Sequence, residues 1–199
     1  MYGLGLDPRI GPGYLKPGIG FGGPCLDKDL RALITVAGEY SYDPVLLDGV
    51  LRRNGLQLRD VMNRIASALG SGQYRKRIAL LGLAFKEGTN DVRHSLSIRL
   101  YRALRDQGAS VVGHDLLAVS EAKELEPRLE ASNDIGVVLA GAEVVVALNS
   151  EPVYADIDWS AAGTADRPPY VIDTRCILDT KALEANGITF DVLGSAGKD

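Results

Sequence analysis

From Cys25 onward, apolar residues recur every three or four positions: Leu26, Leu30, Leu33, Ile34 and Ala37 fall on one side of a helix. A second run of the same period holds Leu47, Val50, Leu51, Leu58, Val61, Met62, Ile65 and Leu69. It follows Asp43-Pro44, an acid suited to an N-cap and a proline suited to a first helical turn. Gly49 and Gly55 each weaken that run by about 1 kcal/mol relative to alanine, so one long helix with a tendency to kink is expected. After the linker-like Gly70-Ser71-Gly72-Gln73 the pattern changes. Ile78–Phe85, Ser110–His114, Glu143–Leu148, Tyr170–Asp173 and Thr189–Val192 read as short strands. Between them lie helical patterns at Ser95–Gln107, a helix pair over 119–140, and a helix over 179–186. Strands that are apolar throughout belong to a sheet covered on both faces, and their alternation with helices predicts a doubly wound parallel sheet. The fold class is therefore α/β. A helical segment spans residues 1–70, a linker 71–76, and the sheet 77–199.

The residues before Cys25 carry a different signal. Glycine is dense there and prolines stand at positions 8, 12, 17 and 24, which predicts extended, loop-rich chain rather than a helix or central strand. Composition narrows the partners. Across 199 residues, 22 Lys and Arg face 26 Asp and Glu, a net charge of −4 that advertises neither nucleic acid nor an anionic membrane. The longest nearly apolar stretch, Ile135–Leu148, is interrupted by Glu143 and is too short to span a bilayer. Met1-Tyr2-Gly3-Leu4 has no basic segment leading into an apolar one, so no secretory signal is expected. Two cysteines, Cys25 and Cys176, make no disulfide framework, and a reduced, cytoplasmic protein is expected.

Gly18-Ile19-Gly20-Phe21-Gly22-Gly23 spells G-x-G-x-x-G, but a dinucleotide fingerprint follows a strand, and Pro12 to Pro17 cannot be a central one. The glycines instead deliver Cys25 to the first turn of a helix, where partial positive charge favours the nucleophilic thiolate. Asp29 lies four residues on, on the same face, with Lys28 beside it. A carboxylate does not help a thiol ionise, so Asp29 suits proton handling near a covalent intermediate. Local chemistry alone leaves open a blander reading, in which Cys25 is a small buried hydrophobe and Asp29 a solvated helix residue. In an open parallel sheet ligands sit beyond the carboxyl ends of the strands. Lys86, Asn149 and Arg175 each follow a predicted strand, bringing two cations and an amide to one edge as a cradle for a pyrophosphate. Asp115, ending the second strand, reads either as a ribose-binding acid or as a cap. His94 and His114 have no ligand-spaced partners, and no metal is expected.

The run Gly18 to Asp29, reading GIGFGGPCLDKD, resembles the catalytic-cysteine segment of the UDP-glucose/GDP-mannose dehydrogenase family. Gly82 to Ser95, reading GLAFKEGTNDVRHS, is similar to that family's C-terminal domain signature, and Asp173-Thr174-Arg175 to its substrate-contacting segment. Arg9-Ile10-Gly11 and Tyr14-Leu15-Lys16 match the UDP-glucose branch. The resemblance implies a Rossmann-like C-terminal domain and an NAD-dependent, two-step oxidation of a nucleotide sugar at its primary alcohol, through a cysteine thiohemiacetal and thioester. UDP-glucose is the expected substrate, with GDP-mannose and UDP-N-acetylhexosamines as alternatives. By position Cys25 would be the nucleophile and Asp29 its assistant, while Lys28 and Arg93 would approach NAD. Tyr14, Leu15, Lys16, Gly18, Gly22, Phe85, Lys86 and Arg175 would line the path of the substrate, joined by Arg9 reaching into a neighbouring subunit. The Asp43–Gly70 helix resembles the family's dimer-forming helix, so a homodimer is expected. Two departures stand out. Asn90 replaces an acid, and Cys176 stands where relatives often carry asparagine, the expectation being a buried packing thiol. The resemblance does not extend to the family's N-terminal NAD-binding domain. The polypeptide alone is therefore expected not to turn over substrate, whether it is a truncated gene product, a fragment or one half of a split enzyme. A non-catalytic nucleotide-sugar-binding or dimerisation module is the competing expectation.

Overall fold

The computed structural model describes residues 2–12, 15, 17–70, 72–164 and 166–194. Six strands form one parallel sheet: β1 (Arg77–Leu81), β2 (Ser110–His114), β3 (Glu130–Ser132), β4 (Val144–Ala147), β5 (Tyr170–Asp173) and β6 (Phe190–Val192). Their order is β3-β2-β1-β4-β5-β6, so the chain reverses its direction of travel between β1 and β4. In the registered core, Leu80 lies opposite Gly113 on one side and Val146 on the other.

Alternate strand positions feed two cores. Ile78, Leu80, Val144, Val146 and Ile172 pack with Leu100 and Leu104 of α4 (Leu96–Asp106) and with Val61 and Ile65 of α3 (Val45–Leu69). Ala79, Leu81, Val145, Ala147 and Val171 face the other way. There they meet Val138 and Leu139 of α6 (Ile135–Leu139), Leu183 of α7 (Thr180–Ala185), Tyr154 and Trp159. Each fully buried aliphatic side chain contributes about 1.5–3 kcal/mol, which is why the strands carry apolar residues at successive positions.

Ahead of the sheet stand α1 (Tyr2–Gly5), α2 (Leu26–Glu39) and α3, which runs as one 25-residue helix through Gly49 and Gly55. Gly70, at φ 66°, ends α3 in the left-handed conformation, its N–H bonded to the Ala66 carbonyl. Pro44, with non-helical φ −87° and ψ 54°, occupies the N-cap position itself, leaving Asp43 outside the helix it was expected to cap. No residue of α2 is buried. Among the described residues no helix is long and apolar enough to cross a membrane.

Three expectations need correction. Tyr2–Gly5 forms one turn of helix where extended chain was expected. The first proline stands at position 8, so glycine alone opposes that turn and does not forbid it. The run expected to be two helices over 119–140 contains β3 between α5 (Val119–Leu125) and α6. Pro127 follows α5, and Asp134 caps α6 by accepting the Gly136 N–H, leaving three residues to pair along the edge of β2. The first strand ends at Leu81 rather than Phe85, because Gly82 turns at φ 98°.

Candidate functional site

The glycine-rich segment is held from below by α3. The Asn54 side chain accepts from the Phe21 N–H at 2.8 Å and donates to the Phe21 carbonyl at 3.0 Å. One turn on, Gln57 Nε2 donates to the Gly18 carbonyl at 3.1 Å. From above, the Gly23 N–H donates to the His94 carbonyl at 3.3 Å. Thus pinned, the loop closes over the carboxyl ends of β1, β4 and β5.

Between loop and sheet lies a narrow cavity of about 50 Å³. Gly20 and Gly22 line it from the loop, Phe85 and Lys86 from the chain after β1, Ser95 and Ser97 from the start of α4, Asn149 from beyond β4 and Arg175 from beyond β5. It sits where the strand order reverses, the position at which open α/β sheets take ligands. Its charge is one-sided. The Arg175 Nε donates to Ser150 Oγ at 3.1 Å, and the Lys86 ammonium lies 5.5 Å from the Phe85 ring centre. Among the described residues neither cation pairs with a carboxylate. The carboxylate of Asp173, two residues from Arg175, accepts the N–H groups of Arg175, Ile177 and Leu178 at 2.8, 2.8 and 2.9 Å. Ser95 caps α4, its Oγ accepting from Ser97 N–H at 3.1 Å and donating to the Leu83 carbonyl at 2.7 Å. Two unpaired cations and the positive end of a helix favour an anion with several oxygens.

The predicted residues divide. Gly22, Phe85, Lys86 and Arg175 line the cavity, and Gly18 lies directly against the Arg175 guanidinium. Cys25 is exposed at the N-cap of α2, which removes the reading of it as a buried hydrophobe. The Asp29 N–H donates to the Cys25 carbonyl at 2.9 Å, while the Asp29 carboxylate pairs with exposed Lys28 at 3.1 Å. Neither Cys25 nor Asp29 lines the cavity; both lie beside it, past Gly23. Arg93 is gripped by Asp91 through Nε–Oδ1 at 3.1 Å and Nη2–Oδ2 at 2.8 Å. That hydrogen bond, together with the charge of Asp91, raises the guanidinium pKa, and Asp91 is lowered in return. Arg9 folds back on Asp7 at 2.7 Å, and Leu15 donates its N–H to the Pro12 carbonyl at 3.2 Å, both away from the cavity. Tyr14 and Lys16 lie outside the described residues. Asn90, the replaced acid, donates to the Glu121 carboxylate.

Asp115 is not free to hold a ribose. Its Oδ2 accepts the Leu83 and Ala84 N–H groups at 2.8 and 3.0 Å, and its Oδ1 those of Leu117 and Ala118, both at 2.9 Å. The acid thus fastens the loop after β1 to the loop after β2 and has no remaining valence for a ligand. Cys176 is exposed, not buried; it adopts φ 55°, and its Sγ approaches the Leu193 carbonyl at 3.6 Å. Partial burial, reinforced by the charge of Asp173, raises its thiol pKa. Asn54, Gln57 and Ser150 escaped the sequence reading, because an amide on a helix face or a serine in a loop carries no periodic signal. Among the described residues no group of three His, Cys, Asp or Glu is placed to hold a metal ion.

Residues 79–180 match the UDP-binding domain of the UDP-glucose/GDP-mannose dehydrogenase family, and residues 1–55 match its central domain. The UDP-glucose 6-dehydrogenase TuaD of Bacillus subtilis is 32% identical over 193 residues, covering 96% of this chain and 42% of the relative. A UDP-glucose dehydrogenase structure from Pyrobaculum islandicum superposes with TM-score 0.84 at 31% identity, covering 98% of this chain and 43% of that one. A GDP-mannose dehydrogenase structure from Pseudomonas aeruginosa gives 0.73 at 25% identity, covering 86% and 40%. The chain therefore spans about two fifths of the length of each relative.

Proposed function

Because the chain belongs to the UDP-glucose/GDP-mannose dehydrogenase family, we propose that it is the part of an NAD-dependent nucleotide-sugar 6-dehydrogenase that grips the substrate diphosphate and presents the thiol nucleophile. The observation carrying this reading is the convergence of Lys86, Arg175 and the start of α4 on a cavity roofed by the loop that leads into Cys25. UDP-glucose is the preferred substrate over GDP-mannose and UDP-N-acetylhexosamines. Support comes from Arg9-Ile10-Gly11 and from relatives named for UDP-glucose.

The thiol of Cys25 adds to the sugar aldehyde, forming a carbon–sulfur bond and leaving its proton on the new hydroxyl. Loss of a hydride, for which NAD bound outside the described residues would be the acceptor, turns the thiohemiacetal into a thioester. When water then hydrolyses that thioester, water supplies the carboxylate oxygen and the thiol departs. Asp29, one helical turn from Cys25, handles the proton of that water. The described residues do not make up an NAD site by themselves. Asp115 is saturated by four backbone N–H groups, which leaves only the exposed Lys28 and Arg93, paired with Asp29 and Asp91, to face that cofactor. NADH formation by this chain alone is therefore not expected. A homodimer through α2 and the first half of α3 completes the reading, supported by the exposed Leu33, Val36, Val45 and Leu46 of those helices.

The test is a calorimetric titration of the chain with UDP-glucose, GDP-mannose and NAD, repeated on Arg175→Ala. UDP-glucose binds, and the substitution lowers its affinity by roughly 10- to 100-fold, as expected for a charge-assisted hydrogen bond to phosphate. NAD gives no heat. Absence of UDP-glucose binding by the unaltered chain overturns the proposal. Binding without any selective alkylation of Cys25 over Cys176 favours a non-catalytic module instead.

A further inference from the structure

Asn149 stands one residue beyond Leu148, at the carboxyl end of β4, where the strand order reverses. It lines the cavity yet is only 3% exposed. Its amide lies flat against the backbone of Gly82, where an added Cβ would come within 2.3 Å of Asn149 Cγ. The Glu151 N–H points at Oδ1 from 3.4 Å and fixes which end of the amide is the acceptor. The other end is unsatisfied: Nδ2 is buried and has no hydrogen-bond partner among the described residues. Buried donors are rarely left in this condition, because desolvation removes water and returns nothing.

No protein acceptor lies within hydrogen-bond reach of this donor among the described residues. The Leu83 carbonyl receives Ser95 Oγ–H, and the Asp173 carboxylate already accepts three backbone N–H groups. The charged groups that remain, Lys86 and Arg175, are donors themselves. An acceptor must therefore come with the ligand. Three donors, two of them cationic and lacking a carboxylate partner, select an oxygen that carries negative charge over a neutral carbonyl or hydroxyl.

We propose that Asn149 is a substrate-binding residue whose Nδ2–H donates to a phosphate oxygen of a nucleoside diphosphate, alongside Lys86 and Arg175. This rests on the nucleotide-sugar reading above and gives the amide at this sheet edge a stated donor atom and a stated acceptor. Two substitutions separate the donor from the scaffold. Asn149→Asp keeps the shape beside Gly82 and the acceptor for the Glu151 N–H, but replaces the donor by a carboxylate oxygen. Asn149→Ala removes both and introduces no charge.

The experiment is calorimetry on the whole chain with UDP, with uridine read by competition against UDP, and with Arg175→Ala as reference. Thermal melting without ligand checks that each variant is folded. Asn149→Ala weakens UDP about tenfold and Asn149→Asp about a hundredfold, since a repelled phosphate loses more than an unbonded one. Uridine affinity in Asn149→Ala stays within about twofold, as a contact to phosphate alone requires. UDP affinity unchanged in both folded variants, with Arg175→Ala still impaired, overturns this inference and leaves the nucleotide-sugar reading standing. Equal losses for UDP and uridine place Asn149 on the nucleoside and overturn it too. Failure of the unaltered chain to bind UDP removes both readings together.

Discussion

Gly18 and Gly23 both exclude a methyl group, but for different neighbours. A Cβ on Gly18 would fall 2.4 Å from Nη1 of Arg175, the far end of a side chain that can swing away. A Cβ on Gly23 would meet Phe85 Cδ2 at 2.8 Å, on backbone already at φ 81°. Gly18→Ala is therefore expected to unfold within about 0.5 kcal/mol of the parent while binding UDP-glucose more weakly, because it displaces the guanidinium proposed to grip the diphosphate. Gly23→Ala is expected to lose about 2 kcal/mol or more, from left-handed strain and the ring contact together. Urea melts and calorimetry on both variants check this, and equal stability losses would contradict it. The sequence displays the glycines plainly but not their purpose. The reason for each lies in a residue far along the chain, Arg175 for one and Phe85 for the other, and no local pattern connects them. Cys176 was misread for a related cause, since nothing in the apolar pattern signals that the chain turns through positive φ there and leaves the thiol at the surface.

Strand-end acids do at the level of elements what glycines do at the level of residues. Asp115 gathers backbone N–H groups from the loops after β1 and β2, and Asp173 from the loop after β5, so the edge of the sheet is tied by carboxylates before any ligand arrives. The central strands and α3 were legible because their apolar period is long and strong. β3 was not, because three residues on an edge cannot display a period. The positions of Lys86, Asn149 and Arg175 were legible because topology alone brings strand ends together. Histidine adds a pH dependence to this edge. His114, closing β2, sits between Tyr154 Oη at 2.9 Å and the Asn133 carbonyl at 3.3 Å. Burial lowers its pKa below the ordinary 6.5, against the smaller opposing pull of the Asn133 carbonyl and of Asp115, Asp134 and Glu151. The unfolded chain thus takes up that proton first. The contribution is fully present above about pH 6.5 and is lost as pH falls through the depressed folded value. Chemical denaturation between about pH 7 and pH 5 should show falling stability, and His114→Gln should flatten the slope. An unchanged slope would assign the acid sensitivity to other groups.

At the scale of the whole molecule, the chain is a sheet with a helical arm whose apolar residues are uncovered. Leu33 is 54% exposed and Leu46 78% exposed, and α2 buries nothing within one copy. Exposed apolar patches of this kind mark an interaction surface. The proposed dimer predicts that light scattering gives twice the chain mass for the parent and the single mass for Leu33→Glu/Leu46→Glu, with the melting of the sheet retained. A monomeric parent at micromolar concentration would remove the dimer from the reading.

The helix α3 passes from this arm into the core without a break. Asn54 and Gln57 hang the glycine loop from it, while Val61 and Ile65, one and two turns further on, are clamped under the sheet. Such a rod transmits angle as well as position. Each residue advances it by about 100°, so inserting one between Gln57 and Val61 would swing Asn54 around the axis and away from Phe21 while every core contact stayed in place. The number of residues between loop and core is accordingly a matter of phase. The direction in which the loop points, and with it the line of approach to Cys25 in the proposed reaction, is dialled by the packing of the sheet, nearly half a chain away from the thiol itself.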